Sequence, residues 1–148
     1  MDNQSRSLLT PLLLREVCCR ASVILLALFF IAAGSNHFLH EPFYVRIVPA
    51  WLPAPGLLAA ISGACEILGG VGILITRTRR IAGLGLIALM VAVFPANIQM
   101  AIHPELYRDI GSQPVFVARL PLQAVLIAAV WWACLRLRSR SLPCSCKQ

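Results

Sequence analysis

Glu66 stands in the run GACEILGG, midway along an apolar stretch from Leu57 to Ile75 that is long enough to cross a bilayer as a helix. A charge at bilayer depth costs roughly 2.5 to 3.5 kcal/mol on insertion scales, so such a group faces a bundle interior and takes a partner. Arg119 is the expected partner, and Gln123, four residues on, shares its helix face. Asn97 and His37 stand near the ends of two further apolar stretches. A carboxylate and a guanidinium with amide neighbours can hold a quinone carbonyl or relay a proton. Quinone reduction takes up protons with its electrons, and a buried carboxylate beside a histidine is the pairing such chemistry needs. The same five residues can also act purely as helix locks, since interhelical polar bonds contribute about 0.6 to 2 kcal/mol each. A small-molecule or proton-linked transporter would use an intramembrane carboxylate as well, and the residues alone leave all three readings open.

Other chemistry is weakly represented. His37, His40 and Glu41 have the spacing of a metal triplet, but His103 is the one further histidine in the chain and a firm site needs a third or fourth ligand. Interfacial hydrogen bonding is the expected role of these rings, and no metal site is expected. Six cysteines occur without a CxxC pair, which argues against a dithiol redox centre. Cys18, Cys19, Cys65 and Cys134 read as small hydrophobes, and Cys144-x-Cys146 lacks the second ligand pair of a soft-metal site. There is no GxGxxG and no cysteine spacing of an iron–sulfur protein, so no cofactor is evident.

The elements that must position these groups follow from composition. The 148 residues are 59% hydrophobic and 13% charged, with a mean hydropathy of +0.79, too apolar for an ordinary soluble domain. Apolar stretches at about 21–38, 57–75, 81–101 and 115–135 each approach the ~20 residues that span hydrocarbon. They lack the alternation of barrel strands, so the expected fold is all-α: a single-domain four-transmembrane-helix bundle filling 1–148, with outer loops at 39–56 and 102–114.

A net charge of +7 does not point to nucleic acid, because the basic residues mark one side of the membrane. Arg6, Arg15 and Arg20 precede the first span, Arg77, Arg79 and Arg80 fill the turn between the second and third, and Arg136, Arg138, Arg140 and Lys147 follow the fourth. The other two loops set Arg46 against Glu41, and Arg108 against Glu105 and Asp109. The positive-inside rule then puts both termini in the cytoplasm of a multi-pass inner-membrane protein. A cleaved leader ending at Ala32, Ala33 and Gly34 is the competing reading of the first span. The leader is long for that role, and the apolar run passes directly into an aromatic, histidine-bearing segment, so a retained span is expected. Residues 1–14 are expected to fray or lie along the inner surface.

Local signals refine the bundle. The run HFLHEPFYVRIVPAWLPAPG, with four prolines and four aromatic residues, reads as an ordered interfacial segment. Gly63, Glu66 and Gly70 share one helix face, which lets a neighbouring helix approach the carboxylate closely. Pro95 deprives a carbonyl one turn earlier of its helical donor, and Asn97 and Gln99, two positions apart, must face different partners. At about 1.5 Å rise per residue, Glu66 lies roughly 13 Å and Gln123 roughly 12 Å below the outer boundary, and Arg119 about 6 Å. All five candidates therefore fall in the outer half.

The runs GSNHFLHEPFYVRIVPAWLP, SGACEILGGVGIL, VFPANIQMA and RLPLQ, in that order, resemble the DoxX-like family of small bacterial membrane proteins. The resemblance spans most of residues 34–123. It implies a four-helix membrane protein that interacts with quinone or serves as an accessory subunit of a membrane redox complex. It supplies no catalytic mechanism, and an accessory role without independent enzyme activity is expected. The partners expected are the lipid bilayer and either a redox complex or a second copy of the chain.

Overall fold

A computed structural model describes the backbone of residues 3–109 and 111–136, with side chains from Val17 onward. Five α-helices and no strand make up the described residues: α1 (Asn3–Leu39), α2 (Glu41–Ile47), α3 (Pro55–Leu74), α4 (Arg79–Ile102) and α5 (Gln113–Val130). A 3-10 turn, Pro104–Tyr107, follows α4, and α5 passes into a π-helical segment, Trp131–Arg136. Four stretches are long and apolar enough to cross a membrane: Val17–Leu39, Pro55–Leu74, Arg79–Ile102 and Gln113–Arg136.

Two differences from the sequence expectation stand out. The backbone of α1 is already helical at Asn3, and the helix runs through Pro11 and the basic leader into the span. The segment expected as the first outer loop contains α2. Pro42 at its first turn supplies the fixed φ that starts a helix, and Pro49, Pro53 and Pro55 confine its end. Between Pro53 and Pro55, Ala54 adopts φ 50°, ψ 60°, a left-handed conformation that turns the chain into α3 at some strain.

The packing order is α1 on α3, α3 on α4 and α4 on α5, with α1 also reaching the π-helical segment. Close approach of α1 and α3 depends on glycine. A Cβ on Gly34 would lie 2.5 Å from the Gly63 carbonyl oxygen, and one on Gly63 would lie 2.6 Å from His37 Cβ. Gly70 continues that contact against Ala27 and Ile31.

Two apolar clusters hold the ends of the bundle. At the basic end, Val23, Ala27 and Phe30 of α1 meet Ile73, Leu86, Met90, Val130 and Cys134. There the Arg79 Nε donates to the Ile73 carbonyl at 2.8 Å and Thr78 Oγ1 to that of Gly72 at 2.9 Å, satisfying carbonyls that α3 leaves open at its C-terminus. At the loop end, Met100, Tyr107 and Phe116 pack with Ile47. Polar side chains gather between the two clusters.

Candidate functional site

The α1–α3 crossing builds the site's first half. His37 follows Gly34 by three residues and Glu66 follows Gly63 by three, so the close glycine contact brings the two side chains together. His37 Nε2 lies 3.8 Å from Glu66 Oε2, with side-chain exposures of 10% and 17%. The other ring nitrogen, Nδ1, is 2.9 Å from the Ala59 carbonyl oxygen and 3.1 Å from Ser62 Oγ. Ser62 Oγ itself donates to the Ala59 carbonyl at 3.0 Å. A carbonyl only accepts, so Nδ1 carries the hydrogen and Nε2 presents its second position toward the carboxyl group. Tyr44 of α2 stacks on the imidazole with ring centroids 3.6 Å apart and planes 25° apart. Asn36 Nδ2 holds the Tyr44 hydroxyl at 2.9 Å.

Glu66 Oε2 is buried without a hydrogen-bond partner. At 3.8 Å its approach to His37 Nε2 exceeds hydrogen-bond range. A neutral Nε2 and an ionised carboxylate are both acceptors, so one proton must lie between them, on the ring or on the carboxyl, or a bound donor must take its place. Buried polar atoms are almost always satisfied, so Glu66 Oε2 is an exception within the bundle.

The second half comes from α4 and α5. Gln123 donates through Nε2 to the Met90 carbonyl and accepts through Oε1 from Asn97 Nδ2 at 2.8 Å. Met90 directly precedes Val91, whose carbonyl loses its helical donor to Pro95, so the interhelical bond lands where α4 is weakened. Gln99 turns away and donates to the Tyr107 hydroxyl at 3.2 Å. Arg119 Nη1 lies 3.9 Å from Met100 Sδ, and its guanidinium stands 5.8 Å from the centroid of the Phe43 ring.

All five candidates, His37, Glu66, Asn97, Arg119 and Gln123, border one cavity of about 230 Å³, with Tyr44 as a sixth polar lining residue. Phe29, Phe30, Ala33, Leu122 and Leu126 contribute to its apolar wall. The expected pairing is corrected, however. Glu66 is paired with His37 and forms no ion pair with Arg119, which has no carboxylate partner among the described residues. Arg119 lies nearer the loop end, and its long side chain turns to Met100 and Phe43 rather than across to α3.

Tyr44 and Ser62 were not among the candidates. Tyr44 reads as an interfacial aromatic until α2 folds it over His37, and a serine in an apolar run carries no distinctive signal. The repeated spacing in GSNH and GACE, a glycine three residues before each reactive group, is the signal that could have joined His37 to Glu66.

The remaining histidines take other partners. His40 Nδ1 is 2.7 Å from Asn36 Oδ1, and His103 Nδ1 is 3.1 Å from Glu105 Oε1. His37 and His40 therefore do not aim at a common point, and among the described residues no three His, Cys, Asp or Glu side chains gather as metal ligands. Glu105 lies outside the spans, and hydrogen bonding from its own backbone N–H, then from His103, holds its carboxyl below the ordinary range. Cys18, Cys19, Cys65 and Cys134 are free thiols, while Cys144 and Cys146 lie outside the described residues.

Residues 26–134 match the family model described as a domain of unknown function, DUF8561. The chain belongs to the DUF8561 family. The match covers everything that builds the cavity, from Phe29 to Leu126. No curated protein and no solved structure matches the chain.

Proposed function

We propose that this member of the DUF8561 family is a DoxX-like protein of the bacterial inner membrane, with both termini cytoplasmic, that binds a quinone head group as an accessory subunit of a membrane redox complex. The observation that carries the reading is the buried Glu66 Oε2 without a hydrogen-bond partner, 3.8 Å from His37 Nε2, on a cavity that Arg119 also lines. A quinone offers two carbonyl acceptors on opposite sides of a flat apolar ring. A proton held between His37 and Glu66 would be donated to one carbonyl and Arg119 would donate to the other, while the inner apolar lining, Phe30 and Leu126, would face the ring. The runs shared with DoxX-like proteins contribute His37, Glu66, Asn97, Arg119 and Gln123. The basic residues that cluster at one end support the orientation.

Electrons come from another subunit in this reading, since the sequence holds no cofactor motif of its own. A helix-locking role belongs to part of the same cluster. Gln123 and Asn97 spend their amides on each other and on Met90, joining α4 to α5, and need no ligand.

The test is a titration of the purified, detergent-solubilised protein with ubiquinone and menaquinone analogues, read by thermal stability in wild type and Glu66→Gln. A ligand that binds the folded state raises its stability, by about 2.7 kcal/mol at a hundred times the Kd. Saturable stabilisation that weakens in Glu66→Gln is the expected result. Absence of any shift in well-folded wild type would reject quinone binding and leave the cluster as a helix lock.

A further inference from the structure

Helix α2 packs over the loop end of the bundle, whereas the α1–α5 side of the cavity is thinly walled. From the loop end α2 covers it, with Tyr44 stacked on His37 and Phe43 beneath Arg119. Arg46 of α2 is in turn tied to Asp109 and, at 3.2 Å, to the Leu106 carbonyl. The side wall differs. Helix α1 packs along α3 and reaches the far side of the bundle chiefly at the π-helical segment, so α1 and α5 are not joined by extensive packing. At that seam Phe29 of α1 and Leu122 of α5 both line the cavity and both remain open to the surroundings, at 45% and 54% exposure. Both residues lie inside the apolar spans, where the surroundings are hydrocarbon.

Resting on the quinone reading above, we infer that the ligand is a membrane-dissolved amphiphile that reaches the cavity sideways, through a mouth between α1 and α5 framed by Phe29, Ala33 and Leu122, and that its apolar tail stays in that mouth and in the bilayer. The size of the cavity requires this division. About 230 Å³ accommodates a head group and leaves no room for a long tail. The polar groups that would hold the head lie inward, while the rim residues Phe29, Ala33 and Leu122 are apolar and match a methylene chain. A water-soluble ligand would instead have to pass α2 and its tie to Asp109.

The inference separates from the quinone reading in one experiment. Wild type, Leu122→Trp and, from the α1 side, Ala33→Leu are reconstituted in nanodiscs of phosphatidylcholine and titrated with decylubiquinone and with the tail-less ubiquinone head group. Both substitutions are at the lipid-facing rim, and each variant is first required to match wild type in thermal unfolding without ligand. The expected result is that narrowing the mouth weakens decylubiquinone about tenfold while the tail-less head group keeps its affinity within about twofold. Partitioning of the tail into lipid is common to all three proteins and cancels in this comparison. Equal weakening of both ligands would show that the rim only shapes the head pocket and would overturn the lateral route. Unchanged binding of both would overturn it too, with the quinone reading intact. Failure of wild type to bind either ligand would overturn the quinone reading, and the route with it.

Discussion

His37 and Glu66 face each other across 3.8 Å at the α1–α3 crossing, with the opposite side of the imidazole anchored to the Ala59 carbonyl at 2.9 Å. The anchor fixes the tautomer, and the facing carboxyl has no hydrogen-bond partner at Oε2. Two polar groups are thus held in register, yet too far apart to satisfy one another.

That geometry predicts which residue is energetically coupled to Glu66. In double-mutant cycles read by thermal or denaturant unfolding, Glu66→Gln with His37→Ala should give a coupling of about 1 kcal/mol, within the range for residues in contact. Glu66→Gln with Arg119→Gln should give a smaller value, since no ion pair joins them. The reverse order would return Arg119 to the role of principal partner.

Glycine at the α1–α3 crossing should be irreplaceable where the helices touch. Gly34→Ala and Gly63→Ala each place a Cβ against backbone or His37 at 2.5 to 2.9 Å, and should destabilise by about 1 to 3 kcal/mol through forced separation of the helices. Gly85→Ala is the control, because nothing lies within 4 Å of its added Cβ. Equal effects at all three positions would show that helix propensity, not packing, governs them.

Gln123 bridges α4 and α5 through both ends of its amide. Gln123→Leu removes the bond to the Met90 carbonyl and strands the Asn97 amide, and should cost about 1 to 2 kcal/mol. Asn97→Ala leaves the Gln123 bond to Met90 intact and should cost less. Chemical denaturation in a defined detergent separates the two, and a milder effect at Gln123 would contradict the bridge.

The tie between Arg46 and Asp109 is half-exposed on both sides, at 50% and 59%. A pair so open to solvent is screened and contributes little, about 0.2 to 1 kcal/mol. Asp109→Asn should therefore leave global stability nearly unchanged while raising hydrogen exchange in α2, and high salt should produce the same local change in wild type. If exchange in α2 does not respond to either, the pair does not hold α2 over the cavity.

Much of this architecture could be read directly from the chain, because hydrocarbon is an unforgiving solvent. Long apolar stretches without alternation leave helices as the available structure, and the rarity of charge inside them draws attention to Glu66, Arg119, Gln123, Asn97 and His37. Helix periodicity also separated Asn97 from Gln99, and the two do face different partners, Gln123 and Tyr107. What periodicity leaves open is direction across a helix pair. The partner of Glu66 depended on where α1 and α3 touch, and that is decided by the glycine contact at Gly34 and Gly63. The choice between Arg119 and His37 turned on a few ångströms of depth and on the reach of a flexible guanidinium, neither of which spacing encodes. Likewise α2, the stacking of Tyr44 on His37 and the cross-loop tie from Arg46 to Asp109 exist only once distant segments meet. The sequence by itself determined an all-α set of four long apolar helices with buried polar side chains. Tertiary structure alone decided which of those side chains face one another, because partners in space are set by helix packing rather than by order along the chain.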